Sequence, residues 1–489
     1  MKIIYFFLFL ISIFKLTIST EIISFKLKYN NISIIKNNNI SYIFNELRNT
    51  YISSFITIGN PEFSIKTNFS MITPHFSLSS YLELINENKL INSYDIRNSK
   101  TFQNISSLKQ FYVQSTNDIN AKEKFRLSYY NSEKKKYNDK IINDLDFVLG
   151  VRNQYQKIVN FTEIYFINIG LQIYSPTKYS QEKQFNFIYL LKNKNIINNY
   201  NWFVIYEKIN LIEDELYNLD DLINGKQEIL IGGSPDEFEP NIFYKEQLFQ
   251  IYSNYFLWIS EFKSVYFYKN QTKFNSGVMK QLIYHNEARI DFNNFFIYAP
   301  SLYFSMIKNE FFNYYKSKNV CYYSENTQNE YIYCEKSENF NRNNLRSFPI
   351  LYFEHNEFNF TFEFNYKDLF AEIDNKYIFL IAIKDGDMDN WYLGNIFLRK
   401  YQFVFNQDSK TIGFYNTNLV VNKEKKREIN KSIDFRYIVL IISFCIMCLV
   451  IGFFSGNYIY KTYKHKKKRA NELDDDFEYT TDKYEKIID

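Results

Sequence analysis

The sequence predicts an all-β fold built as two related halves and followed by one apolar span. Three observations carry that prediction. Between residues 50 and 420, short aromatic and β-branched runs recur between Asn, Asp, Ser and Gly turns, with little sustained helical periodicity. Residues 63–70 and 288–294 both run from a β-like stretch into a polar residue followed by Phe, the long-period echo that two related halves would give. Residues 437–454 carry no charge, a stretch long enough to cross a bilayer with its flanks.

In chain order, residues 1–20 read as a signal peptide: a short basic start, an apolar run, and small residues at Thr17, Ser19 and Thr20. Lys15 interrupts that pattern, and an uncleaved anchor is the alternative. Residues 50–59 alternate and stop at Asn60-Pro61. The lysine-rich 133–136 and the Asn-rich 193–201 are predicted surface loops. Strands are predicted over 185–192, 202–207 and 228–231, then a Gly232-Gly233 turn, then strands over 255–259 and 263–268. Residues 300–315 form the best helix candidate, with Pro and Ser at its start. From Trp391, an apolar entry meets the lone Gly394, a short amphipathic turn follows, and residues 401–405 alternate before a polar turn at 406–409. No short solenoid-type repeat is present.

A chain of 489 residues buries a large core, in two domains or one bilobal unit. Its 12 Gly are few for a fold with many tight turns. A net charge of +4, with no basic-aromatic module, gives no argument for a nucleic-acid partner. Basic residues flank the apolar span on both sides, so the positive-inside rule nearly ties. The signal peptide breaks the tie and sends residues 21–436 into the secretory lumen. The expectation is a single-pass type I membrane protein of the secretory pathway or cell surface, spanning at 437–456, with a cytosolic tail at 457–489. Cys321 and Cys334 are the two cysteines of the luminal part, and an oxidising compartment predicts a bridge between them. Cys445 and Cys448 fall inside the span. Sequons at Asn31, Asn39, Asn68, Asn104, Asn160, Asn270, Asn359 and Asn430 all precede it, which makes this part of the chain a predicted glycoprotein.

Several runs resemble, in the correct order, the pepsin-like aspartic peptidases. YISSFITIGNP at 51–61 is similar to their opening Y-x-x-x-I-x-I-G-T-P, and YDIRNSKTF at 94–102 to F-D-P-S-K-S-S-T-F. DFVLGV at 146–151 resembles D-G-I-L-G-L, with Phe147 for a glycine. ILIGGS at 229–234, YFLWI at 255–259, IDFNNFFIYAP at 290–300 and FPILYF at 348–353 continue the series. The segment from Trp391 to Tyr415 resembles the closing W-hydrophobic-L-G-D-x-F-L-R stretch and its final G-F. The resemblance implies a bilobal fold with a cleft, an N-terminal lobe at 45–225 and a C-terminal lobe at 226–418.

It also implies two Asp-Thr-Gly loops whose carboxylates share one proton across a water. Asp291 matches the second Asp, and Asn68 falls at the first. Between residues 61 and 81 the acid present is Glu62, ahead of the strand. Both loops carry Phe at the Thr position (Phe69, Phe292) and lack Gly (Ser70, Asn293). An amide cannot accept the proton of the attacking water, so a general-base contribution of about 10²–10⁴-fold is lost. A glycan on Asn68 would also fill the cleft. Tyr129 matches the flap tyrosine, although Tyr130, Asn131 and Ser132 lack that motif's glycines. No cofactor is implied. Asp385, Asp387 and Asp389 alternate as Ca²⁺ ligands do, but lack the rest of the loop pattern and the distal Glu, so no metal is expected. His75, His285 and His355 sit in no nucleophile or zinc motif. In the tail, YEKI at 484–487 resembles a tyrosine-based sorting signal.

The leading expectation is a membrane-anchored, catalytically inactive relative that holds an extended peptide or protein ligand in its cleft. The alternatives are a working aspartic endopeptidase with a noncanonical dyad, and a surface or receptor-like protein that uses the fold as a scaffold.

Overall fold

The computed structural model describes residues 21–29, 39–49, 52–71, 76–80, 99–104, 119–131, 134–151, 167–172, 186–209, 211, 215–253, 257–269, 272–273, 287–324, 330–384, 390–419 and parts of 447–469. The signal segment, Asn31, His75, Asn160, Asn270, His285, residues 385–389, Asn430, Cys445, Cys448 and the 484–487 motif lie outside the described residues. The chain divides into one compact unit ending at Leu419 and a second from Val420 onward. In the second unit the described residues of 447–469 are helical, with Met447, Ile451 and Phe454 exposed. Among the described residues no helix is long and apolar enough to cross a membrane.

The first unit is mostly β-sheet. In its first strand, β1 (Glu21–Tyr29), Ile23, Phe25, Leu27 and Tyr29 are buried while Lys26 and Lys28 are exposed, the period of two that a half-buried strand requires. This strand lies upstream of residue 45, where the sequence places the start of the first lobe. It pairs with β2 (Ile52–Ile58) and with β4 (Ile119–Asn131). In turn β2 pairs with β3 (Phe63–Ser70), and β4 forms a long hairpin with β5 (Lys136–Val151). A six-strand antiparallel run then joins β1 to β8 (Gln227–Ile231), Asn201–Tyr206, Phe403–Asn406, Thr411–Tyr415 and Leu248–Tyr252. It therefore draws strands from both sides of the expected boundary at 225/226.

The long-period echo reappears as matched topology. Strand β3 pairs in parallel with β6 (Ile167–Gly170), Asn68 opposite Asn168 and Ser70 opposite Gly170. Likewise β10 (Glu287–Ile290) pairs in parallel with β13 (Trp391–Leu393), just before Gly394. Asn68-Phe69 thus lies within a strand and Asp291-Phe292 just after one, and each strand has a parallel neighbour that ends at or just before a glycine. A Cβ on Gly394 would stand 2.4 Å from the carbonyl oxygens of Asn294 and Phe296, so only glycine allows that approach.

Two expectations are corrected. Residues 146–151, expected as a loop, are strand: they end β5, antiparallel to β4 with Asp146 opposite Lys122. Residues 185–192 are not a strand. A helix, α1 (Phe187–Asn193), starts where Asn186 caps it by accepting from Tyr189 N–H, and it buries Phe187, Ile188, Leu190 and Leu191 on one stripe. Of the predicted strand at 255–259, residues 257 and 258 are not strand and only Ile259 begins one; the predicted elements hold at 202–206, 228–231, 264–268 and 403–415, and the helix begins after Pro300.

Cys321 and Cys334 are directly opposed on paired strands and disulfide-bonded, with Cα atoms 4.0 Å apart. Both are buried, at 1% and 0% exposure, so the bridge is a core element as well as a chain constraint. Replacing both by Ala is expected to lower the unfolding free energy by about 3 kcal/mol, measured by urea denaturation of the full chain.

Candidate functional site

The two expected loops meet. Asn293 Nδ2 donates to the Phe69 carbonyl oxygen at 2.9 Å, linking the residues after Asp291 to those after Asn68. Phe69 and Phe292, which take the Thr positions of the resembling motif, are both fully buried with ring centroids 6.4 Å apart. Phe25 packs against Phe69 at 5.3 Å, and Trp202 against Phe292 at 5.9 Å. The junction is therefore an aromatic cluster threaded by one amide hydrogen bond. Thr67 Oγ1 and Asn293 Oδ1 are buried there without a partner among the described residues.

Asn68 is partly buried at the end of β3, and its Oδ1 accepts from the Phe69 backbone N–H at 2.8 Å. That bond engages the amide oxygen with the backbone of its own strand. Glu62 does not substitute for it. It sits exposed in the turn before β3, and Arg126 at 2.6 Å and Lys124 at 3.1 Å pair with it and hold its carboxyl below the usual range.

Asp291 follows β10, its backbone N–H bonded to the Leu393 carbonyl at 3.2 Å. Its Oδ1 accepts from the Asn293 backbone N–H at 3.0 Å. Burial raises its carboxyl above the ordinary carboxylate range, opposed by the Asn293 N–H and by the charge of Lys384. Lys384 lies 4.1 Å from the Tyr392 ring centroid and 3.4 Å from Asn294 Oδ1. Tyr298, its hydroxyl pushed up by burial and by Asp291, completes this side of the site. Among the described residues, the charged group that bears on Asp291 is thus a cation, not a second carboxylate. Sequence reasoning missed Lys384 because it stands 93 positions along the chain and joins the site only through the β-sheet.

Tyr129 lies on β4 opposite Ile23 and Asn138, its ring 5.9 Å from Lys140 Nζ. Asn39 is exposed and caps the Ile40–Asn49 helix, accepting from Ser41 N–H at 3.0 Å. Asn359 is exposed at a turn with φ 45°, a placement open to a glycan. Asn104 ends a two-residue strand. Among the described residues no three His, Cys, Asp or Glu side chains group as metal ligands.

A buried Ser–His pair was not legible in the sequence. Ser260 Oγ and His355 Nε2 are 2.8 Å apart, and the Phe358 backbone N–H donates to His355 Nδ1 at 3.2 Å. The imidazole proton therefore sits on Nε2 and is donated to Ser260, the wrong tautomer for activating that hydroxyl. Both residues are buried, so the pair is a structural link between strands. Compared with known proteins, the chain matches no protein-family profile and no curated protein.

Two outcomes follow from these titrations. Burial lowers His355 to about 4 from its ordinary 6.5, so the unfolded chain takes up this proton first. Its contribution of about 3 kcal/mol is present above pH 6.5 and lost as pH falls towards 4; urea denaturation across that window should show the slope, and His355→Asn should flatten it. Asp291 has the opposite sign: its raised folded value means ionisation destabilises the fold as pH rises. Asp291→Asn should therefore raise the urea midpoint at pH 7 and bring no gain near pH 3.

Proposed function

We infer that this chain is a membrane-anchored, catalytically silent relative of the pepsin-like aspartic peptidases that binds an extended peptide or protein segment without cleaving it. The observation that carries the reading is the pairing of two equivalent loops of which only one holds a carboxyl. Asn293 joins them at 2.9 Å, yet Asn68 stands where a proton-accepting acid is required, and Lys384 is the charge beside Asp291. Water activation between two acids needs a base on one side of the shared proton. An amide bonded to the backbone of its own strand supplies none.

The matched parallel pairs β3–β6 and β10–β13, which lie in different sheets, support a bilobal arrangement. The exposed apolar side chains of Met447, Ile451 and Phe454, followed by lysines on the same helix, support anchoring of the second unit in a bilayer. The Cys321–Cys334 disulfide supports a luminal first unit.

The test uses the full chain in detergent micelles. A statine-type peptide, which mimics the tetrahedral intermediate, is expected to bind saturably, while a peptide library is left uncut at acid pH. Hydrolysis inhibited by the same peptide would instead establish a working peptidase with another dyad. Absence of any binding would leave the fold as a scaffold alone.

A further inference from the structure

Three strands part at one place in the large sheet. β1 pairs with β4 from Glu21 to Ser24, and with β2 at Lys28 and Tyr29. β2 then pairs with β4 at Thr57 and Ile58, opposite Arg126 and Phe125. Residues 25–27, 54–56 and 127 consequently have no ladder partner on the side where the three strands face one another. Each keeps its partner on the far side: β8 for β1, β3 for β2 and β5 for β4. The opening between them is a pocket of about 360 Å³.

Its chemistry is one-sided. The lining carries three cations, Lys26, Lys28 and Arg126, with several serines and no acidic residue. The hydroxyls of Ser54 and Ser128 have no partner among the described residues, and neither has the Lys28 ammonium a carboxylate. Glu62 takes Arg126 Nη2 at 2.6 Å and Asp139 lies 3.9 Å from Nη1, but Nε is buried and unpartnered. Ser24 is committed, donating to Glu228. Phe55, 61% exposed, supplies an apolar wall. Cations and hydroxyl donors around one opening favour an anion with several acceptor oxygens.

We propose that this pocket binds an oxyanion, a phosphate or sulfate group carried by a small solute. The hydroxyls of Ser54 and Ser128, without a partner among the described residues, supply directed hydrogen bonds, and Lys26, Lys28 and Arg126 supply charge around the opening. Ser53, on its wall, is the cross-strand neighbour of Asn68, so the pocket adjoins the strand that carries the amide.

Isothermal titration of the full chain with inorganic phosphate and with inorganic sulfate, at constant ionic strength, tests the proposal. Saturable binding of at least one anion is expected, weakened about tenfold by Lys28→Gln and lost in Arg126→Gln. Lys136→Gln, an exposed cation outside the pocket, should leave it unchanged. Lys28 is exposed, so its variant carries the test even where Arg126→Gln weakens the fold. No saturable binding of either anion, or wild-type affinity in Lys28→Gln, would overturn the assignment. Because the probes are inorganic anions, neither result bears on whether a peptide occupies the Asp291 site.

Discussion

One side-chain amide holds the candidate site together. Asn293 donates across to the carbonyl of Phe69, beside the buried rings of Phe69 and Phe292. Leaving that acceptor without its donor in a partly buried junction would be costly. On either side, a parallel strand pair fixes the direction from which each loop arrives. The positions of Asn68, Asp291 and Lys384 all follow from this junction.

The junction trades polar precision for apolar burial. Two large rings occupy places where the resembling motif has threonines, and they extend into a cluster with Phe25, Trp202, Trp258 and Phe405. Aromatic contacts of this kind add to area burial without needing hydrogen-bond partners. What the arrangement gives up is the pair of acids. Asp291 stays desolvated at a cost to stability when ionised, the condition under which carboxyls most often serve recognition or chemistry. The buried His355 adds an acid-sensitive element far from that carboxyl in sequence, so mild acidity weakens the fold through histidine before Asp291 is protonated in the unfolded chain.

Much of the β architecture was legible because its signals are local. Alternation over 52–58 and 403–405, the glycine pair at 232–233 and the Pro-Ser start at 300–301 each act within a few residues. The echo between 63–70 and 288–294 was legible too, since equivalent strands kept equivalent patterns. The helix at Phe187–Asn193 was not, because Phe and Ile raise β propensity while a seven-residue segment shows less than two turns of periodicity. The parallel pairing of β3 with Ile167–Gly170 was not legible either, because no local pattern encodes which distant strand pairs. Lys384, Arg126 and the splayed strands around it depend on long-range registers that no local pattern encodes. At the site, the residue types at 68–70 and 291–293 were legible as a polar residue followed by Phe, while the amide that joins the two segments could be found only in three dimensions.

Carbon-13 NMR of labelled aspartate carboxyls, with Asp291 assigned from the Asp291→Asn variant, bears most directly on the central claim. A lone desolvated carboxyl titrates in one step, above the ordinary range for an aspartate. Two coupled steps, one of them unusually low, would reveal a second acid sharing its proton and contradict the account.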